Sequence, residues 1–354
     1  MNSVNTSQSL ISVNALNINF YTARGIAHVV KNVNFSIEFG ETFGLVGESG
    51  CGKSVVSRSL MGLIPHPGKI DSGSILLTPT LGKQSIDIVK CTDQALQMIR
   101  GQTIGMIFQE PDMALNPIMR VGDQIAETYH IQAHLKGIQT FFSRWLPGYN
   151  RPKKEKYLSN AIELLKVLGI SRPEIVAQQY PHQLSGGMKQ RILIAIALAG
   201  SPSLLISDEA TSSLDVSIQS QIIVLLDQLK KEKRIQSILF ITHDLGLAAM
   251  FCDRLAVMYA GSMCEIGCVP EIFNQPKHPY TQALLEAIPK KSKSTKLKPI
   301  PGHVPDLVDA PTGCRFHPRC SQEMEKCERE IPSMHFVGKD HQVACWLKAA
   351  DKNL

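Results

Sequence analysis

Residues 47 to 54, Gly-Glu-Ser-Gly-Cys-Gly-Lys-Ser, match the pattern G-x-x-x-x-G-K-[ST] at every position. The short apolar run Thr42–Val46 precedes them, and a helical pattern follows over residues 54 to 63, stopped by Pro65 and Pro67. Few features limit a fold so strongly. Glycines let backbone N–H groups converge on phosphate oxygens without obstruction, and the helix behind them adds its positive end. Gly47, Glu48, Ser49, Gly50, Cys51, Gly52, Lys53 and Ser54 are therefore candidate phosphate contacts. Lys53 has the reach for β- and γ-phosphates, and the Ser54 hydroxyl suits Mg²⁺. A chance glycine turn has no reason to sit between a strand and a helix.

A second element agrees. Residues 204 to 209, Leu-Leu-Ile-Ser-Asp-Glu, form an apolar strand pattern ending in two carboxylates, with Asp208 lying 155 residues after Lys53. An acid at a strand's C-terminal end belongs at the edge where α/β sheets bind ligands. Asp208 is the candidate to hold Mg²⁺ through water, and Glu209 the candidate to activate an attacking water. Further strand patterns are expected at residues 104–108, 238–242 and 255–259, and helices at 216–229 and on the face carrying Leu158, Ala161, Leu165 and Leu168, which Gly169 is placed to end. Val33, Phe35, Ile37 and Phe39 alternate with polar residues, as in a half-buried strand. Strands alternating with helices predict a largely parallel sheet, with a helical block inserted over about 112–190.

The chain has 354 residues, enough for more than one lobe, and its net charge of +6 does not call for a nucleic-acid partner. No run approaches the roughly 18 apolar residues of a membrane-spanning helix. The N-terminal residues lack the basic and apolar regions of a secretory signal, so a cytoplasmic chain with reduced or metal-bound cysteines is expected.

Between the two acidic and glycine-rich elements stands Leu184-Ser185-Gly186-Gly187-Met188-Lys189-Gln190, which resembles the signature sequence of ATP-binding cassette (ABC) ATPases. Ser185-Gly186-Gly187 precedes the apolar stretch 192–199 and forms a second anion-ready helix start. Gln109 resembles the family's Q-loop glutamine, Ser213-Leu214-Asp215 its D-loop, and His243 its switch histidine. Phe20, or its neighbour Tyr21, resembles the aromatic that stacks on adenine. The resemblance implies a P-loop NTPase with a RecA-like core, an antiparallel β subdomain, an inserted helical subdomain and a small cysteine-containing C-terminal extension. It implies ATP and Mg²⁺ as ligands, with Ser54, Gln109 and Asp208 around the metal and its water, and Glu209 and His243 as the catalytic pair. It further implies a head-to-tail partner, because each signature caps the ATP held by a second ATPase subunit. Ala210 departs from the family's usual proline after the glutamate, which leaves that turn freer.

Three features are similar to the dipeptide, oligopeptide and antimicrobial-peptide import branch: residues 109–117, the run His278-Pro279-Tyr280 continuing to Leu285, and the ending Gly313-Cys314 to Cys320. That branch implies a peripheral subunit at the cytoplasmic face of the membrane, under two permease subunits, served indirectly by a peptide-binding protein. A soluble ABC ATPase of nucleic-acid repair or translation, with a zinc module, is the alternative, and nickel or another small solute is an alternative cargo. The expected division is a cassette over 10–275 and an extension over 276–354. Residues 141–156, with Phe141, Phe142, Arg144, Trp145 and Lys153, either pack within the helical subdomain or touch lipid or a permease loop. The basic stretch 290–298 reads as a solvated linker or a contact to anionic lipid. Cys314, Cys320, Cys327 and Cys345 are spaced C-x5-C-x6-C-x17-C. The spacing leaves open a [4Fe-4S] cluster, Zn²⁺ or ordinary buried thiols, and the resemblance implies a cluster in some relatives.

Overall fold

The computed structural model describes residues 9–136, 152–210, 215–288 and 299–349. The segment around Trp145, the basic stretch 290–298, and Ser213 and Leu214 of the D-loop lie outside them. The chain divides into two compact units, one built from residues 1–91 and 239–354 and the other from residues 92–238.

The first unit opens with an antiparallel sheet. Strands β1 (Ile11–Thr22) and β2 (Gly25–Ile37) form a hairpin closed at Thr22↔Gly25. Helix Lys53–Ser59 follows β3 (Thr42–Val46), and then β4 (Gly68–Leu77) and β5 (Ile86–Asp87) complete the order β2-β1-β4-β5. Ile11, Val13, Leu16 and Ile18 of β1 are buried together with Val30, Val33, Phe35 and Ile37 of β2 and Ile75 and Leu77 of β4. One sheet face is thus a core, as alternation demands. The alternation expected up to Phe39 stops at Ile37, and register shifts interrupt β1 between Val13 and Leu16 and at Ile18. Ala15 (φ +46°) and Asn32 (φ +49°) adopt the left-handed backbone next to those shifts, so the bulges break the period that a sequence pattern needs.

In the second unit, β6 (Ile104–Ile107) and β7 (Leu204–Asp208) pair in parallel from Ile104↔Leu204 to Ile107↔Ser207. Every residue of both strands is buried, which explains their unbroken apolar runs. The intervening chain is helical, with Val121–Lys136, Pro152–Val167 and Gly186–Leu198 the longest pieces. Helix Val216–Lys231 follows β7, buries Ile222, Ile223, Leu225, Leu226 and Leu229, and leads to β8 (Ser237–Thr242).

Back in the first unit, β9 (Arg254–Tyr259) runs parallel to β3 and antiparallel to β10 (Ser262–Cys268). The C-terminal residues do not stand apart from this sheet. Strands β11 (His335–Phe336) and β12 (Gln342–Val343) extend it, with Glu265↔Val343 and Ile266↔Gln342 paired, giving β11-β12-β10-β9-β3. The helix expected over 54–63 spans Lys53–Ser59, and three successive i→i+3 bonds, ending at Gly62 N–H to the Ser59 carbonyl, tighten its end.

Candidate functional site

The glycine-rich loop leaves β3 at Val46 and enters helix Lys53–Ser59. Gly47 has φ +153°, and a Cβ there would lie 2.1 Å from the Met258 carbonyl oxygen of β9. Only glycine admits so close an approach. Lys53 is 3 % exposed, and its Nζ donates to the carbonyls of Gly47 (2.9 Å) and Glu48 (3.0 Å). The ammonium therefore lies across the loop and orders the carbonyls, so the N–H groups of the same peptides face the other way. Ser49 and Gly50 are exposed, Ser54 is half-buried, and Cys51 and Gly52 are buried. Burial pushes the Cys51 thiol above its ordinary value despite the Lys53 ammonium, so it remains protonated.

Glu48 is held from the C-terminal segment. Its N–H donates to the Tyr280 hydroxyl (3.0 Å), and its carboxylate accepts a bidentate pair from Arg319 (2.7 and 3.1 Å). Arg319 also donates to the Tyr259 hydroxyl (3.2 Å) and the Pro301 carbonyl (2.6 Å), and its guanidinium lies over the Tyr259 ring. Tyr259, Tyr280 and Phe316 pack with ring centroids 4.7–5.2 Å apart. Burial drives the Tyr280 hydroxyl far above its usual range, so it stays neutral and can accept from the loop.

The His278-Pro279-Tyr280 motif acquires a physical role here. Glu265 is fully buried and accepts from the N–H groups of Lys277 (2.7 Å) and His278 (2.9 Å) and from His341 Nε2 (2.6 Å). Burial raises the carboxyl, but the His341 bond and the backbone donors outweigh it and the net shift is downward. His278 is buried, and desolvation pushes it down to about 4. Its neutral Nδ1 accepts from Tyr280 N–H and caps helix Pro279–Glu286, which aims Tyr280 at the loop.

The two aromatic candidates differ. Tyr21 is 47 % exposed, and its hydroxyl donates to Asp71 (2.8 Å). Phe20 is half-buried, with its ring edge against Gly68. His243 is exposed just past β8, and Asp244 beside it caps helix Leu245–Phe251 by accepting from Gly246 and Leu247.

In the second unit, Asp208 is buried at the end of β7, and Glu209 comes next with φ +48°. A non-glycine residue in that region is strained by about 1–3 kcal/mol, and the strain turns Glu209 out of the strand direction. Gln109, exposed after β6, donates from Nε2 to Glu209 Oε2 (3.4 Å). These two residues, 100 positions apart, are thus brought together. Ala210 is 2 % exposed, so the position has no space for exposed polar chemistry. Ser185 is the N-cap of Gly186–Leu198, accepting from Met188 N–H (3.4 Å). Ser185 and Gly186 are exposed, and Gly187 lies against Ile218. Asp215 is exposed at the start of helix Val216–Lys231, without a side-chain capping bond.

Cys314, Cys320, Cys327 and Cys345 line one cavity with His317, Phe316 and Trp346. Burial, reinforced by the neighbouring thiols, raises Cys314 to about 11 and also raises Cys320 and Cys345. Among the described residues no group of three or more His, Cys, Asp or Glu side chains stands in metal-holding geometry. The four sulfurs thus share a cavity as free thiols. These sulfurs are the donor type that zinc and iron–sulfur clusters take, but their arrangement is not a metal-holding one. Glu265 and His341 carry no local signal, and Tyr280 and Arg319 lie inside runs that resemble the peptide-import branch but that do not mark them as partners of the loop.

A family model described as ABC transporter matches residues 30–212, and one described as oligopeptide/dipeptide transporter, C-terminal region, matches residues 264–327. The chain is 41 % identical over 343 residues to the dipeptide transport ATP-binding protein DppD of Bacillus subtilis, covering 96 % of this chain and 95 % of the relative. It is 44 % identical over 345 residues to the oligopeptide transport ATP-binding protein OppD of the same organism, covering 97 % and 90 %. Among solved structures, the dimeric ATP-binding cassette MJ0796 in a post-hydrolysis state bound to ADP and Pi is similar, with a TM-score of 0.59 and 25 % identity over 73 % of this chain and 98 % of that one.

Proposed function

Because the chain belongs to the ABC transporter family of ATPases, we propose that it is the ATP-hydrolysing subunit of a peptide importer. The observation that carries this reading is the joint match to a cassette and to the oligopeptide/dipeptide C-terminal region in one chain. The structural support is that this C-terminal region is bonded to the phosphate loop.

Residues 47–54 cradle the ATP phosphates, and Phe20 or Tyr21 stacks on adenine. Ser54 and Asp208, with Gln109, offer hydroxyl, carboxylate and amide oxygens, the hard donor set that Mg²⁺ prefers. Bound there, Mg²⁺ would neutralise charge on the β- and γ-phosphates. Lys53 exchanges the loop carbonyls for phosphate oxygens. Glu209 accepts the proton of the attacking water, and His243 keeps that water in line. Ser185, Gly186 and Gly187 act on ATP held by a second ATPase subunit, to which Asp215 also reaches. The work is positioning and electrostatics.

The cassette is assigned to residues 10–275, with helices inserted over 112–190, and the extension to 276–354. Met113 and Ile118, a few residues past Gln109, are 82 % and 83 % exposed, as a surface that docks permease subunits requires. Among the described residues no helix is long and apolar enough to cross a membrane. The subunit is peripheral, at the cytoplasmic face, beneath two permease subunits fed by a peptide-binding protein. Cys314, Cys320, Cys327 and Cys345 would supply the thiolates of a [4Fe-4S] cluster or Zn²⁺, a structural staple outside the ATP chemistry. Anaerobic purification from detergent-solubilised membranes tests the assembly. Co-purifying permeases and a second cassette support it, and an isolated chain stimulated by nucleic acid refutes it. Metal analysis of the same preparation reports on the thiols.

A further inference from the structure

Glu48 sets a carboxylate inside a loop that must receive a polyanion, and its side chain is only 26 % exposed. Left alone, that charge would oppose triphosphate binding across a partly desolvated space. Arg319 is 6 % exposed and meets it with two parallel N–H···O bonds, the geometry in which a guanidinium neutralises a carboxylate most completely. Arg319 cannot swing away cheaply. The Pro301 carbonyl, the Tyr259 hydroxyl and the Tyr259 ring hold the rest of the guanidinium. It sits at the end of the short turn His317–Arg319, between Cys314 and Cys320, so its place is set by the C-terminal segment. Tyr280, from the same part of the chain, fixes the Glu48 peptide.

We propose that Arg319 is a positioning residue for nucleotide binding: through Glu48 it cancels the one acidic side chain of the phosphate loop and holds the loop in its binding shape. The C-terminal segment thereby sets the affinity of the ATP site. The inference rests on the reading of residues 47–54 as an ATP site.

The test is a double-mutant cycle on the full chain, with the affinity for MgAMP-PNP measured by calorimetry and the KM and kcat of MgATP hydrolysis measured alongside. R319Q should weaken nucleotide binding about tenfold and raise KM alike, with kcat at saturation nearly unchanged. R319K, which keeps the charge but loses the bidentate pair and the ring contact, should bind between the parent and R319Q. E48Q removes the charge that needs cancelling, so E48Q/R319Q should bind within about twofold of E48Q. Thermal stability lost in R319Q should not return in the double variant, because the contacts to Pro301 and Tyr259 remain altered. A purely structural role would leave affinity and stability falling together. The proposal is overturned if R319Q binds like the parent, if R319K binds as poorly as R319Q, or if E48Q/R319Q binds as poorly as R319Q. Should R319Q not fold, E48Q and R319K still decide. Adding R319K to E48Q must then cost less affinity than R319K costs in the parent, and an equal cost overturns the proposal. A parent chain that binds no MgAMP-PNP would instead refute the ATP-site reading itself.

Discussion

Alanine at Gly47 should be costly for a reason that can be separated from backbone strain. The new Cβ would stand 2.1 Å from the Met258 carbonyl oxygen and 3.0 Å from Cys51 Sγ. The carbonyl belongs to β9, which pairs on both sides and cannot retreat, so the loop must move by roughly 1 Å to reach van der Waals separation. Overpacking of that kind costs about 1–3 kcal/mol, and a left-handed non-glycine backbone adds about 1–2 kcal/mol. Together they give about 2–5 kcal/mol, a large part of the 5–15 kcal/mol that typically separates folded from unfolded states. Gly50 is the internal control. Its φ is +78°, but a Cβ there meets nothing within 4 Å, so Gly50→Ala carries the backbone cost alone. Urea unfolding of both variants should show Gly47→Ala less stable than Gly50→Ala by about 1–3 kcal/mol. Equal losses would mean that the loop does not lie against β9 and would refute the packing described for the site.

Acidification should loosen the C-terminal segment. His278 is held neutral, with its folded value near 4 against an ordinary 6.5, so its contribution is complete above pH 6.5 and drains away as pH falls toward 4. That interval corresponds to about 3 kcal/mol, and Glu265, shifted downward, loses stabilisation in the same direction. His278→Asn keeps a capping acceptor without the titration. Trp346 fluorescence between pH 7 and 4 should therefore be flatter in the variant, and an identical pH profile would count against the buried neutral histidine. Ser185→Arg should cut ATP turnover at least about 100-fold while single-chain MgATP affinity holds within about twofold. Undiminished turnover would show that no signature from a second subunit acts on the nucleotide.

The parts of this molecule that are legible in the sequence are those whose signal is local. Thr42–Val46 is legible at its observed bounds because both its faces are buried and its apolar run is unbroken. The Ser185 cap and the helix behind it are legible because capping chemistry lies within three residues. Strands β1 and β2 are only partly legible, since bulges at Ala15 and Asn32 shift the side chains to the other face midway. The C-terminal residues read as an appendage because their partners are remote. Arg319 meets Glu48 across 271 positions, and His341 meets Glu265 across 76. Nothing in the local pattern around these residues marks partners so far away in the chain. The motif around His278 is visible as a resemblance, but its physical use, an imidazole that caps a helix and aims Tyr280 at the loop, needs the buried Glu265 to be seen.

Exchange of Glu209 for glutamine probes the chemistry most directly. MgATP binding and hydrolysis by the purified full-length chain should be compared for parent and Glu209→Gln. The account predicts affinity within about threefold of the parent and turnover lowered at least about 100-fold, the loss expected when a positioned base is removed. Turnover equal to the parent's would contradict it, because some group other than the Glu209 carboxylate would then be activating the water.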